Sequence, residues 1–373
     1  MRVLKEKKYF ENLDALRAIA ALSVVCYHCV HWLRFPTGKS WEIFKNIFCF
    51  NEQAGPLSVR FFFVLSGFLI TYLMFDERIN TGKFNIRNFY LRRILRIFPI
   101  YYILLIIGFV IYPTLLFLRE VPYTEVSNPF RYIFFISNFD AMYFNFPKNG
   151  LLGVQWSVSV EEQFYLLAPL LFLAASPKYF PLLQICLIIF SWVFYILHIN
   201  ESSAIQQYHT ISVLNYLSVG SLMAWVSFYH LDRVKIYFKK IPKTFHLIIY
   251  FTFLLLVFYL PEMKNFSPAI ISISQKILFT LFSVFIILEQ NFSSNSFFKA
   301  EKFRLLTHLG KISYGIYIYH MVAIYLVIWI FDLSPGSVLI QILSAILLTI
   351  IFSELSFRFI EKRISKLKSK LLQ

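Results

Sequence analysis

Runs of about twenty mostly apolar residues recur along this chain, and each is long enough to cross a bilayer as a helix. Residues 98–118 (FPIYYILLIIGFVIYPTLLFL) show the type. Ten such stretches are expected, at 13–33, 57–76, 98–118, 158–175, 179–199, 208–230, 246–260, 272–289, 305–331 and 336–356. In hydrocarbon every backbone amide must be satisfied within the protein, so these runs are read as helices. The expected fold is an all-α polytopic membrane protein with one integral-membrane domain over 1–373. Composition agrees. Apolar residues are 58% and charged residues 15%, against roughly 45–50% and about 25% in soluble domains. Disorder needs low hydrophobicity and is excluded. Four Cys in 373 residues are too few for a disulfide scaffold. The run 130–139 is too short to span and is read as a re-entrant or interfacial piece.

The net charge of +16 would suggest nucleic acid in a soluble protein. No basic stripe interleaves with exposed aromatics here, so no nucleic acid is expected. The excess instead sorts by loop. Residues 1–12, 77–97, 176–178, 231–245, 290–304 with Lys311, and 357–373 hold 26 Lys or Arg, against seven in the opposite loops. By the positive-inside rule both termini lie in the cytoplasm, which calls for an even number of spans. No small-residue cleavage site follows the first apolar run, so a cleaved signal peptide is not expected. The longest hydrophilic piece, 119–157, then lies outside. No internal repeat is evident.

Ionisable groups inside spans point to function by default. Arg17, Arg60 and Lys276 fall within spans. Arg17 and His28 are eleven residues apart, which places them on one helix face, about 16 Å apart along the axis. They are either a snorkelling Arg with an interfacial His or a functional pair. Cys26, His28, Cys29 and His31 do not converge on a helix, so no metal is expected. Arg60 opens RFFFVLSGFLI, in which Ser66-Gly67 is a small pair suited to close helix packing. In NFYLRRILRIFPIYY, Arg92, Arg93 and Arg96 are either positive-inside charge or a phosphate clamp, because Arg binds phosphate bidentately. WSVSVEEQFYLLAPLL places Glu161 and Glu162 at the outer mouth of the fourth span, level with His28. One Glu could serve a helix cap built on Ser157 or Ser159; a Glu could also orient an imidazole. Ser313, Tyr317 and His320 share one face of the ninth span, with His320 in the outer half. Glu354, Arg358 and Glu361 form either a surface ion pair or a tie to the Arg92 cluster. An inner basic site and an outer His/Glu site in one bundle suit an enzyme with one substrate on each side.

In order along the chain, Arg17 with His28, RFFFVLSGFLI (60–70), YLRRILRIFP (90–99), WSVSVEEQFYLLAPLL (156–171), LGKISYGIYIYH (309–320) and SELSFRFIEK (353–362) resemble the acyltransferase-3 family of integral-membrane carbohydrate O-acyltransferases. The last motif departs slightly, lacking a Pro often found where Leu355 to Phe357 stand. The resemblance is to the stand-alone form, without an SGNH-type hydrolase domain. It implies a bacterial inner-membrane enzyme that takes an acyl group from cytoplasmic acyl-coenzyme A, with acetyl-coenzyme A the expected donor. The acceptor would be an outer hydroxyl of a polysaccharide, lipopolysaccharide or lipid-linked glycan. By that analogy His28 is catalytic, Arg17 supports it, Glu161 or Glu162 serves the active site, and Arg92 and Arg93, with Arg96 beside them, hold the donor. Arg60 and Tyr317 are candidate oxyanion donors, with Ser313 and His320 as supporting residues. No permanently bound cofactor is expected, and no pattern sets an oligomeric state. The competing reading is a glycan transporter or flippase without chemistry, for which inverted repeats would be the mark. A glycan polymerase would need a larger outer loop.

Overall fold

A computed structural model describes residues 10–48, 53–144, 146–259, 267–331 and 335–364. Ten long helices run through them: α1 (Glu11–Trp32), α2 (Ala54–Thr81), α3 (Ile86–Leu118), α4 (Gly150–Ala174), α5 (Phe180–Leu197), α6 (Ser203–Tyr229), α7 (Lys243–Tyr259), α8 (Pro268–Phe292), α9 (Ser313–Phe331) and α10 (Val338–Ile364). Among the described residues there is no strand, and nine of these helices are long and apolar enough to cross a membrane. The exception, α7, has 17 residues; position 260, the expected end of that stretch, lies outside the described residues.

Local chemistry explains the helix ends. Glu11 and Asp14 sit in the first turn of α1, where the helix dipole favours negative charge. Asn85 caps α3 by accepting from the Asn88 amide, and Ser267 does the same for α8 ahead of Pro268. Gly82, at φ +76°, ends α2 in the left-handed region. Within α3 a π-helical turn at Ile107–Ile111 holds Gly108, whose carbonyl accepts from Asn149 at 2.8 Å.

The centre of the bundle is α1, α2, α6 and α9. α2 and α6 touch backbone to backbone: a Cβ on Gly67 would lie 1.9 Å from the Leu217 carbonyl oxygen, and one on Gly220 2.1 Å from that of Val64. α1 is tied in at its start, where Asn12 donates to Glu301 at 2.8 Å and Gly310 meets the Asp14 backbone. The periphery exposes rows of apolar side chains, such as Ile185, Ile189 and Val193 on α5 and Ile340, Leu343 and Leu347 on α10. Such rows suit contact with lipid. We call the end of the bundle where α1 starts proximal and the other end distal.

The segment expected as re-entrant or interfacial forms two short helices, Pro129–Ile133 and Ser137–Tyr143. Gln163 on α4 donates to the Phe135 carbonyl at 2.8 Å and to Asn138 at 2.9 Å, which docks this segment on the bundle. Asn138 donates onward to the Tyr208 carbonyl. Ahead of the segment, Glu125 accepts from the amides of Val126, Ser127 and Asn149 and from the Tyr123 hydroxyl. Burial pushes its carboxyl up, but these donors pull harder and hold it below the ordinary carboxylate value. A depressed folded-state value contributes stability above the unfolded value, and that contribution fades as pH falls through the folded one. Glu125→Gln is therefore expected to speed proteolysis of the 119–149 segment at pH 7 and to match wild type under strongly acidic conditions. An acid-stable protease reads both arms.

Two substitutions would probe the α2–α6 contact. Gly67→Leu has no room and is expected to abolish the folded peak in detergent size-exclusion, because backbone on both sides cannot move aside. Gly336→Ala, where nothing lies within 4 Å of the added carbon, is the control and should keep that peak.

Candidate active site

Two cavities lie end to end in the centre of the bundle. The proximal one measures about 730 Å³, counting its open mouth, and is lined by Arg17, Arg93, Arg96, Glu161, Ser66 and Tyr165 among others. Arg17 comes from α1, Arg93 and Arg96 from the first turns of α3, and Glu161 and Tyr165 from one face of α4. Glu161 accepts from Ser66 at 2.7 Å and from Tyr165 at 3.1 Å. Arg17 pairs with Asp14 at 3.4 Å. The Arg93 guanidinium lies 5.2 Å from the Tyr165 ring centroid. Three guanidinium groups face one carboxylate, so this cavity favours an anionic guest.

The distal cavity measures about 770 Å³ and is walled by aromatics, including Tyr27, Trp32, Trp156 and Tyr208, with His28 among them. Such walls suit the apolar faces of sugar rings, with polar groups fixing orientation. Val59 and Tyr317 line both cavities, and the Tyr317 hydroxyl bonds to Ser157 at 2.5 Å and donates to the Val154 carbonyl at 3.0 Å.

His28 has a specific partner. Its Nδ1 lies 3.0 Å from the Val24 carbonyl, and Nδ1 of the fully buried His320 lies 2.6 Å from the Tyr317 carbonyl. A carbonyl only accepts, so each Nδ1 carries the proton; the tautomers follow from these partners. The one His28 Nδ1–H is then shared between the Val24 carbonyl and the lone pair of His320 Nε2, which lies 3.3 Å away. His28 Nε2 is left with a lone pair, as a general base requires.

Measured against the expectations from sequence, Arg17, Arg93, Arg96, Glu161, Ser313 and Tyr317 converge on the proximal cavity. His28 and His320 meet at the distal one. Other placements differ. The Glu pair does not stand beside His28, because the helix starts well before 158: Asn149 caps its first turn, which carries Glu161 deeper into the bundle. Nor do the serines cap it, since Ser157 bonds to Tyr317 and Ser159 to Ser137. Glu162 does not line the cavity, and its Oε1 is buried without a hydrogen bond. Arg92 points away and pairs with Glu77 at 2.5 Å, clamping the α2–α3 turn. Arg60 lines neither the His28 cavity nor the proximal one. Glu354 bonds to Arg358 and to His308 at 2.9 Å, not to the Arg92 cluster. Sequence reasoning also missed Ser66, Tyr165 and Tyr314. Tyr165 carried a signal, standing one turn after Glu161 on the same face; Ser66 looked like packing, a role that Gly67 alone fills.

A family model described as an acyltransferase domain matches residues 10–356. The chain belongs to this acyltransferase family. Its relatives include O-acetyltransferase OatA from Staphylococcus aureus strain NCTC 8325 and its counterpart in strain COL, each 29% identical over 380 residues. Each alignment covers 96% of this chain and 58% of the relative, so the chain spans little more than half their length. No solved structure matches the chain. A helical bundle with two substrate-sized cavities that share Val59 and Tyr317, one of them lined by His28, is a suitable frame for a transferase.

His320→Gln is expected to lower kcat about tenfold to a hundredfold, the worth of one hydrogen bond to a group that becomes charged. The KM of both substrates should hold. A purely structural role would instead reduce the yield of folded protein and leave kcat per folded molecule intact.

Proposed function

We propose that this chain is a membrane O-acetyltransferase. It takes an acetyl group from acetyl-coenzyme A at the proximal cavity and places it on a glycan hydroxyl in the distal one. The observation that carries this reading is the junction at Val59 and Tyr317, where a basic cavity meets one that holds His28. The names of the S. aureus relatives support acetyl transfer to oxygen. The proximal end, rich in Lys and Arg, is the cytoplasmic one, and both termini lie there. The surrounding membrane is the bacterial cytoplasmic membrane.

The coenzyme phosphates bind Arg93 and Arg96, with Arg17 beside them. The pantetheine arm extends toward the junction and carries the thioester to His28. The acceptor ring lies against the aromatic wall. His28 Nε2 takes the proton of the acceptor hydroxyl as its oxygen forms a bond to the thioester carbonyl carbon. The Tyr317 and Ser157 hydroxyls turn from each other and from the Val154 carbonyl to donate to the developing oxyanion. The carbon–sulfur bond then breaks, the thiolate takes the proton from His28, and the products are an ester and free coenzyme A. His320 accepts from His28 Nδ1–H throughout and stabilises the imidazolium that forms in between. Glu161 offsets one of the three guanidinium charges and keeps the cavity open to exchange.

The test uses membrane vesicles that contain endogenous glycan, supplied with acetyl-coenzyme A labelled in its acetyl group. Label is expected in glycan as an ester released by mild alkali. His28→Ala should lower the rate by about 10²–10⁴ while the protein still inserts. No label in wild type, with protein confirmed, would favour transport without chemistry. Arg93→Ala and Arg96→Ala should each raise the donor KM roughly tenfold or more and leave the acceptor KM unchanged. Arg92→Ala should spare the donor KM and lower thermal stability instead. A donor KM that rises only in Arg92→Ala would overturn the assignment of the donor site.

A further inference from the structure

A third cavity, about 670 Å³, opens beside the distal one between α2, α5, α6 and α8, and Pro56, Trp156 and Gln207 line both. Two cations face into it, Arg60 and Lys276. Lys276 is only 4% exposed. It donates one N–H to the Ser212 carbonyl and lies 3.9 Å from the Tyr195 ring centroid. An ammonium has three N–H groups and a guanidinium five, so donors remain on both. Among the described residues no carboxylate lines the cavity and neither cation has an acidic partner. The remaining polar lining includes Gln206, Gln207 and Ser272.

Charge inside a membrane bundle is expensive unless it is paired, and two like charges in one cavity raise that expense. Packing alone would be met by Met or Leu at either position. An anion between the two groups resolves both problems at once. We propose that this cavity is a subsite for an anionic group on the acceptor, a carboxylate or a phosphate ester carried by its glycan. The proposal rests on reading the His28 cavity as the acceptor's place, since Pro56, Trp156 and Gln207 form a wall common to that cavity and this one. Arg60, expected from sequence as an oxyanion donor, becomes a specificity-determining residue.

The experiment measures the thermal stability of the purified full chain in detergent with glucose, glucuronate, glucose 1-phosphate or phosphatidylglycerol, and separately with coenzyme A. Glucuronate or glucose 1-phosphate is expected to raise Tm in a saturable way, and glucose is not. Arg60→Gln and Lys276→Gln should weaken that response roughly tenfold to a hundredfold. Lys276→Arg should retain it, which keeps the test decisive if Lys276→Gln fails to fold. The response to coenzyme A should be the same in all variants. An equal response to glucose, no response to either charged sugar, or an undiminished response in Arg60→Gln overturns the subsite. A response to phosphatidylglycerol alone would assign the cavity to a lipid headgroup and overturn its link to the acceptor. Charged-sugar binding that survives while His28-dependent ester formation is absent would sink the enzyme reading and leave the anion site standing.

Discussion

A carboxylate or guanidinium inside an apolar bundle must be answered by another group of the protein, because lipid offers none. Much of this architecture follows from where those answers lie. Glu161 finds Ser66 on α2 and Tyr165 one turn along its own helix. Ser66 can reach it only because its neighbour Gly67 lets α2 lie directly on the α6 backbone, which fixes the rotation of α2. That same rotation turns Val59 into the junction between the two cavities. One close helix contact thus sets the carboxylate, the cavity and its exit together.

The helices themselves were legible, because a run of twenty apolar residues has few alternatives in a bilayer. The shared face of Arg17 and His28 was legible for a related reason: a rigid helix converts spacing into geometry. What stayed hidden depended on where a helix begins or on contacts between helices. The apolar count marked the fourth span only from 158, whereas capping at Asn149 starts the helix earlier and moves Glu161 away from His28. Arg92 and Arg93 are adjacent in sequence, yet one closes a loop with Glu77 and the other enters the cavity. The spacing to Arg96 could not separate them, since i+3 and i+4 are both neighbours on a helix. Lys276 stood out inside a span, but its partnership with Arg60 exists only once α2 and α8 are packed.

The proposed chemistry gains most from keeping its two halves apart. A thioester is vulnerable to water, and a base that can activate a sugar hydroxyl can activate water as well. In the proposed reaction the base is His28, which lines the distal cavity, while Arg17, Arg93 and Arg96, the cations proposed for the donor's phosphates, line the proximal one. On that reading, a donor arm that reaches Tyr317 would take the place of the Tyr317–Ser157 hydrogen bond and leave both hydroxyls to the thioester carbonyl. His320 fits the same logic. It is fully buried and spends its own proton on the Tyr317 carbonyl, so it can only accept from His28. The carbonyl that holds His320 belongs to Tyr317, whose side chain lines both cavities, so one turn of α9 sets both the partner of His28 and the wall the cavities share.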